Sequence, residues 1–218
     1  ELNGSFVLVL YEIPSRNLRV INDRLASRHL FYHHSPGDGL AFSTKLHPLL
    51  LCEEVPRRLD RSALFEFFTF QKLLGTRTYY EEIRILPPAS VLTLRDGECD
   101  VQTYWEMRYR AVERPLSSCA IELSRSIHQA VRARLRGPER VGVLLSGGLD
   151  SRAVLAAAQK PMVTFTVGHP DDSDVLGGGK VAKAAGCTHV LLEAREDHFT
   201  NLADKAVETG NGMYSFQH

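Results

Sequence analysis

The chain has 218 residues, 44% hydrophobic and 24% charged, which is enough for one large or two modest globular cores. Its 26 Lys and Arg side chains balance its 26 Asp and Glu side chains, so no broad electrostatic field points to nucleic acid or an anionic membrane. Apolar runs such as residues 6–11 and 141–145 are far shorter than the roughly twenty residues of a membrane-crossing helix, and Cys52, Cys99, Cys119 and Cys187 form neither a CxxC pair nor a zinc-ligand spacing. A soluble cytoplasmic protein with reduced thiols is the expectation.

From Gly4 to Thr103 the pattern is that of short strands separated by turn residues. Strands at 6–11 and 18–21 flank Pro14-Ser15-Arg16-Asn17, and strands at 30–33 and 40–43 flank Ser35-Pro36-Gly37-Asp38-Gly39, each pair reading as a hairpin. His33 and His34 fall near a hairpin tip, where exposed side chains are expected rather than metal ligands. Asp60 can cap a helix over 61–70, in which Leu64, Phe67 and Phe68 recur at helical spacing and would cover a sheet face. Strands at 91–94 and 99–102 bracket Arg95-Asp96-Gly97-Glu98, whose Asp-Gly supplies the positive φ angles of a tight turn.

Residues 106–116 are polar, aperiodic and contain Pro115, so a linker is placed there. Beyond it the pattern changes class. Ser117 or Ser118 can cap a long helix with an apolar stripe of Ala120, Leu123, Ile127, Val131 and Leu135, ended by Gly137-Pro138. Residues 141–145 form a continuous apolar strand suited to a parallel sheet buried on both faces. A helix over 151–159, a strand over 162–167, a weak helix over 174–185, a strand over 189–192 and a helix over 196–209 follow. In the weak helix, Gly177, Gly178 and Gly179 argue for a late start near Lys180, with a glycine-rich turn preferred to a second phosphate loop. In the last helix Phe199, Leu202, Ala203, Ala206 and Val207 share one face. Alternating strand and helix implies a parallel sheet with helices on both faces and ligands beyond the carboxyl ends of its strands.

At such an end stands Ser146-Gly147-Gly148-Leu149-Asp150-Ser151, between a buried strand and a helix. Backbone N–H groups and the helix dipole converge there on an anion. Two glycines allow close backbone approach, and the Ser146 and Ser151 hydroxyls can donate to phosphate oxygens. Asp150 would repel a phosphate unless a cation lay between them, which Mg²⁺ satisfies. The loop lacks the GxxxxGK[ST] spacing and its Lys, which disfavours transfer of a γ-phosphoryl group. Asp171, Asp172 and Asp174 read as a solvated acidic loop rather than a metal cluster, and Trp105 as a residue packed at the domain junction rather than a nucleotide-stacking one.

The segment SGGLDS after an apolar strand resembles the pyrophosphatase loop of N-type ATP pyrophosphatases, which cleave between the α- and β-phosphates. The first half decides which member it resembles. Leu2-Asn3-Gly4-Ser5-Phe6, Asn22-Asp23-Arg24 with Arg28-His29-Leu30-Phe31-Tyr32, Ala41-Phe42-Ser43-Thr44-Lys45, and Leu86-Pro87-Pro88-Ala89 ending at Tyr104-Trp105 are similar to the class II glutamine amidotransferase domain of asparagine synthetases. Family counterparts read LxGxF, RDxxGxxPLYY, FASExKAL and LPPG. The resemblance implies an α+β part followed by an α/β part: a partial Ntn-type β-sandwich amidotransferase domain over 1–106, a linker over 107–115 and a partial Rossmann-like, parallel-sheet pyrophosphatase domain over 116–218. It further implies that Leu144 and Val167 touch adenosine, that Ser146, Gly147, Gly148, Leu149 and Ser151 surround the phosphates, and that Asp150 holds Mg²⁺. ATP, aspartate and glutamine are the implied small molecules, with no nucleic acid or membrane partner and a homodimer left open.

Departures from the family pattern matter too. The family's N-terminal Cys nucleophile and its GDGxDE-like second acidic loop are not in this sequence, and Glu1 is no nucleophile. The chain opens without Met and ends at His218 after a turn, so a segment cut at both ends, inactive alone, is expected. Asn22 stands for the usual Arg, Leu25-Ala26-Ser27 replaces a glycine-containing turn, and Arg152 follows the loop where small residues are common, which suggests a divergent branch. The leading reading is ATP-dependent amidation of aspartate through an aspartyl adenylate. Its alternatives are an amide-forming relative of the β-lactam synthetase or lasso-peptide cyclase type, a non-catalytic ATP-binding homologue and, last, an RNA-modifying pyrophosphatase.

Overall fold

The computed structural model describes residues 2–37, 39–195 and 197–213, the side chains at 198 and 199 excepted. Within that range the chain forms two compact units, one running up to Tyr109 and including the segment from Phe199 onward, the other Arg110–His198. Asp38 in the second predicted turn, Glu196 at the start of the last predicted helix, and the terminal Glu1 and Tyr214 to His218 lie outside the described residues.

In the first unit β1 (Val7–Glu12) and β2 (Asn17–Asn22) form the first expected hairpin, and β3 (Phe31–Ser35) and β4 (Gly39–Ser43) the second. The helix α1 (Leu46–Leu51) follows, and then α2 (Arg61–Phe70), where Asp60 Oδ1 accepts from Ser62 N at 2.9 Å and Ala63 N at 3.1 Å. The buried edge of α2 runs through Ala63, and Phe67 packs edge-on against Tyr79, whereas Phe68 points outward at 81% exposure. Phe68 therefore covers no sheet face, because it lies 100° round the helix from Phe67 and away from Ala63.

The strands β5 (Arg84–Ile85), β6 (Ser90–Arg95) and β7 (Glu98–Thr103) complete two antiparallel sheets, ordered β1-β2-β6-β7 and β4-β3-β5. The β6–β7 turn has φ of 52° at Asp96 and 83° at Gly97, as the Asp-Gly pair predicts. One core cluster contains Val20, Leu30, Leu86 and Leu92, the other Phe31, Leu46, Leu49, Val55, Ile83 and Met213. His33 is buried, not exposed: β3 is the central strand of its sheet, and the pleat turns Phe31 and His33 inward, where His33 Nδ1 pairs with the Glu82 carbonyl at 2.9 Å.

The last helix, α6 (His198–Gly210), belongs from its second residue onward to this same unit. Lys45 Nζ donates to Thr209 O at 3.0 Å, Leu46 N to Asn211 Oδ1 at 3.0 Å and Tyr79 Oη to Gly212 O at 2.7 Å, while Met213 is buried in the core.

In the second unit α3 (Leu116–Arg134) precedes the parallel sheet β10-β9-β8, built from β8 (Gly142–Leu144), β9 (Val163–Gly168) and β10 (Thr188–Glu193). The crossovers are α4 (Leu149–Ala158) and α5 (Ser173–Ala184). Pro115, not Ser117 or Ser118, occupies the cap position of α3, and Ser118 Oγ donates to the Pro115 carbonyl at 2.8 Å. Only the far end of the expected stripe reaches the core: Val131 and Leu135 pack on it, whereas Ala120 and Leu123 are exposed.

Helices on both faces were expected, but α4 and α5 lie on one. The core contains Leu145, Leu155, Ala158, Met162 and Ala182 together. Each new strand is added on the same side of the last, and two right-handed crossovers in one direction put both helices on the same face. On the opposite face Leu144 is 73% and Val167 60% exposed. Among the described residues no helix is long and apolar enough to cross a membrane.

Candidate functional site

The loop between β8 and α4 leaves the sheet at Leu145, whose N–H donates to Phe165 O at 2.8 Å and so extends the pairing one residue past the strand. Ser146 and Ser151 then close the loop upon itself. Their hydroxyls lie 3.0 Å apart, Ser146 N donates to Ser151 Oγ at 3.2 Å, and Gly148 N donates to Ser146 Oγ at 3.2 Å. Gly148 is the cap residue of α4 and provides no side chain, so the first-turn N–H groups keep free donors. Such a turn, two hydroxyls and a helix N-terminus, suits a phosphate oxyanion.

Asp150 lies in the first turn of α4 with its side chain exposed, and no described residue donates to its carboxylate. A single free carboxylate beside a phosphate-binding turn is an all-oxygen donor set, which fits Mg²⁺ completed by substrate oxygens and water. Leu144 pairs in register with Phe165, and Val167 is two residues further along β9, so Leu144 and Val167 share the open face of the sheet. Leu149 is also exposed. All eight residues singled out by sequence thus occupy one end of one sheet.

The sequence singled out Gly177, Gly178 and Gly179 as a glycine-rich turn, but not their place against the loop. The helix α5 runs straight through Gly177, Gly178 and Gly179 instead of starting near Lys180. Its glycines are where the helix meets its neighbours: a methyl group on Gly177 would stand 2.7 Å from Gly147 Cα, and one on Gly178 would stand 2.7 Å from Thr166 Oγ1 and 3.1 Å from Leu145 O. Thr166 is buried and donates to Leu145 O at 2.5 Å. Packing against the loop and the strand ends outweighs the helix-propensity penalty that suggested a late start. Of the acidic residues after β9, Asp172 Oδ2 accepts from His169 N at 2.8 Å, and Asp171 lies 3.6 Å from His169 Nδ1. Among the described residues no three His, Cys, Asp or Glu side chains converge as a metal site.

In the first unit the signature segments meet at Asn22 and Asp23. Asn22 is fully buried; its Nδ2 donates to Leu86 O at 3.3 Å and Pro87 O at 2.8 Å, and its Oδ1 accepts from Ser90 N at 2.8 Å. Its own carbonyl accepts from Tyr104 Oη at 2.7 Å. Asp23 accepts from Phe6 N at 3.2 Å, Leu25 N at 3.1 Å, and the N–H and hydroxyl of Ser27. Burial pushes its pKa up, but these hydrogen bonds outweigh burial and the carboxyl is held below its ordinary value. Trp105 is covered by the Arg24 guanidinium, 5.5 Å from its ring centroid, a contact within this unit.

The chain has the two-part organisation of an amidotransferase domain followed by a synthase domain. The family model described as glutamine amidotransferase domain matches residues 1–105, and that described as asparagine synthase matches residues 122–215. Asparagine synthetase [glutamine-hydrolyzing] 1 of Bacillus subtilis is 24% identical over 95% of this chain and 33% of its own length. The mouse (Mus musculus) asparagine synthetase [glutamine-hydrolyzing] is 40% identical and the bovine (Bos taurus) one 28%, each over 89% of this chain and 36% of its own length. The chain belongs to the asparagine synthetase family. It spans about a third of the length of the curated relatives it matches.

Proposed function

We propose that the second unit binds MgATP by its pyrophosphate portion, and that it serves an enzyme converting aspartate to asparagine with ammonia released from glutamine. The observation that carries this reading is the self-closed loop Ser146 to Ser151 at the head of α4, with two hydroxyls, two glycines and uncapped N–H groups at one point. In this reading Ser146, Gly147, Gly148, Leu149 and Ser151 surround the β- and γ-phosphates. Leu144 and Val167 supply an apolar surface to the adenosine, and Asp150 holds Mg²⁺, which would neutralise charge on the departing pyrophosphate.

The residues of the loop orient and bind; they transfer no proton. Donors aimed at the pyrophosphate stabilise it as the aspartate side-chain carboxylate attacks the α-phosphorus and the bond to the β-phosphate oxygen breaks. Ammonia then attacks the acyl carbon of the aspartyl adenylate, AMP leaves, and one proton is lost as the amide forms. The two antiparallel sheets of the first unit are read as part of an Ntn-type sandwich, residues 1–106 as amidotransferase, residues 116–218 as synthase, and the cytoplasm as the place of action.

The test is aspartate-dependent ATP–pyrophosphate exchange together with MgATP titration calorimetry on wild type and Asp150→Ala. Loss of the bridging carboxylate is expected to weaken MgATP at least about tenfold and to abolish exchange. MgATP binding with no aspartate dependence would transfer the reading to an amide-forming relative with another acid substrate, or to a non-catalytic homologue. Unchanged affinity in Asp150→Ala would remove Asp150 from the metal.

A further inference from the structure

We propose that Gly177 is a positioning residue for the phosphate loop: having no side chain, it lets the N-terminal half of α5 press directly on Gly147 and hold the loop in its anion-binding shape. The proposal rests on the reading of the loop as the nucleotide site and adds to it a support that no motif of the loop contains.

Three consecutive glycines inside a twelve-residue helix are costly to helix formation, so their places need a reason. The three face different surroundings. At Gly177 an added methyl would stand 2.7 Å from Gly147 Cα and 3.3 Å from Gly147 N, and both are backbone atoms that move only if the loop moves. From the other side, a methyl on Gly147 would meet Gly177 Cα at 3.5 Å and Asp174 Oδ1 at 3.7 Å, so this contact is backbone on backbone. At Gly178 the obstacle is Thr166 Oγ1, itself fixed by its hydrogen bond to Leu145 O at the root of the loop. At Gly179 the nearest atom is His189 Cδ2 at 3.9 Å, an ordinary contact.

Gly177 and Gly178 therefore seat α5 against the tip and the root of the loop, while Gly179 has room for a side chain. The backbone of Gly147, next to Gly148 in the loop, has Gly177 against it as a fixed backstop. Binding then need not begin by ordering the loop, which is the benefit of a preorganised site.

The steric difference allows an internally controlled experiment. Gly177→Ala and Gly179→Ala make the same chemical change, two positions apart, in one helix. Amide hydrogen exchange without nucleotide is measured at Gly147 and Gly148, with Thr164 and Phe165 of β9 reporting the stability of the unit, and MgATP affinity is measured by calorimetry. Gly177→Ala is expected to speed loop exchange relative to the β9 amides and to weaken MgATP about tenfold, while Gly179→Ala stays within about twofold of wild type on both readouts.

Loop exchange or MgATP affinity in folded Gly177→Ala equal to that of Gly179→Ala overturns the proposal. A wild-type chain that does not bind MgATP defeats the nucleotide reading instead, and the exchange comparison still decides whether Gly177 holds the loop. Should Gly177→Ala be too unstable to measure, wild type decides by reciprocity: MgATP must slow exchange at Gly177 and Gly178 more than at Ala184, and equal effects overturn the proposal.

Discussion

Asn22, set by resemblance alone at the usual Arg of the family pattern, has a clear physical role as the side chain stands. A neutral amide has both donors and an acceptor, so in a fully buried position it can satisfy two carbonyls of the Leu86-Pro87 segment and the N–H of Ser90 at once. Asn22→Ala leaves those groups unpaired in the core, and a loss of about 3 kcal/mol in urea unfolding is expected. Its neighbour Asp23 sets a pH dependence. Its folded pKa lies below the unfolded one, so its contribution is complete above the unfolded value and is lost as pH falls through about 4 toward the folded value. Thermal melts of wild type and Asp23→Asn should converge below that pH and separate above it. Ala26, in the turn after Asp23, is held at a φ of 46°. Relief of left-handed strain exceeds the added chain entropy, so Ala26→Gly should stabilise by up to about 1 kcal/mol in the same assay.

At the scale of elements, local signals and packing compete openly. The helix α2 is a case of agreement: Asp60 caps it, its limits match the periodicity, and Asp60→Ala should cost about 1 kcal/mol in urea unfolding. The helix α5 is a case of conflict, since its glycines oppose helix and tertiary contact requires them. Only the glycine without such a contact should behave as propensity dictates, and Gly179→Ala is expected to stabilise by up to about 1 kcal/mol in urea unfolding. His33 shows the same competition in a strand. Hairpin position suggested exposure, but the place of β3 at the centre of its sheet decided burial.

For the whole molecule, composition and periodicity were enough to read an antiparallel half followed by a parallel one, and the strand–loop–helix pattern was enough to place Ser146 to Ser151 between a parallel strand and a helix. These features are local: hairpin turns, alternation and the chemistry of six consecutive residues act over short stretches of chain. What only the tertiary structure decided depends on distant contacts. Strand order put α4 and α5 on one face and left Leu144 and Val167 open on the other. Long-range bonds from Lys45, Leu46 and Tyr79 placed the end of α6 in the first unit, more than 130 residues away in sequence. The backing of the loop by Gly177 likewise joins segments thirty residues apart, and no pattern within either one specifies it. Periodicity tells a residue which way to face, but not which distant segment will meet it there; that is fixed only when close packing selects the neighbour that fits.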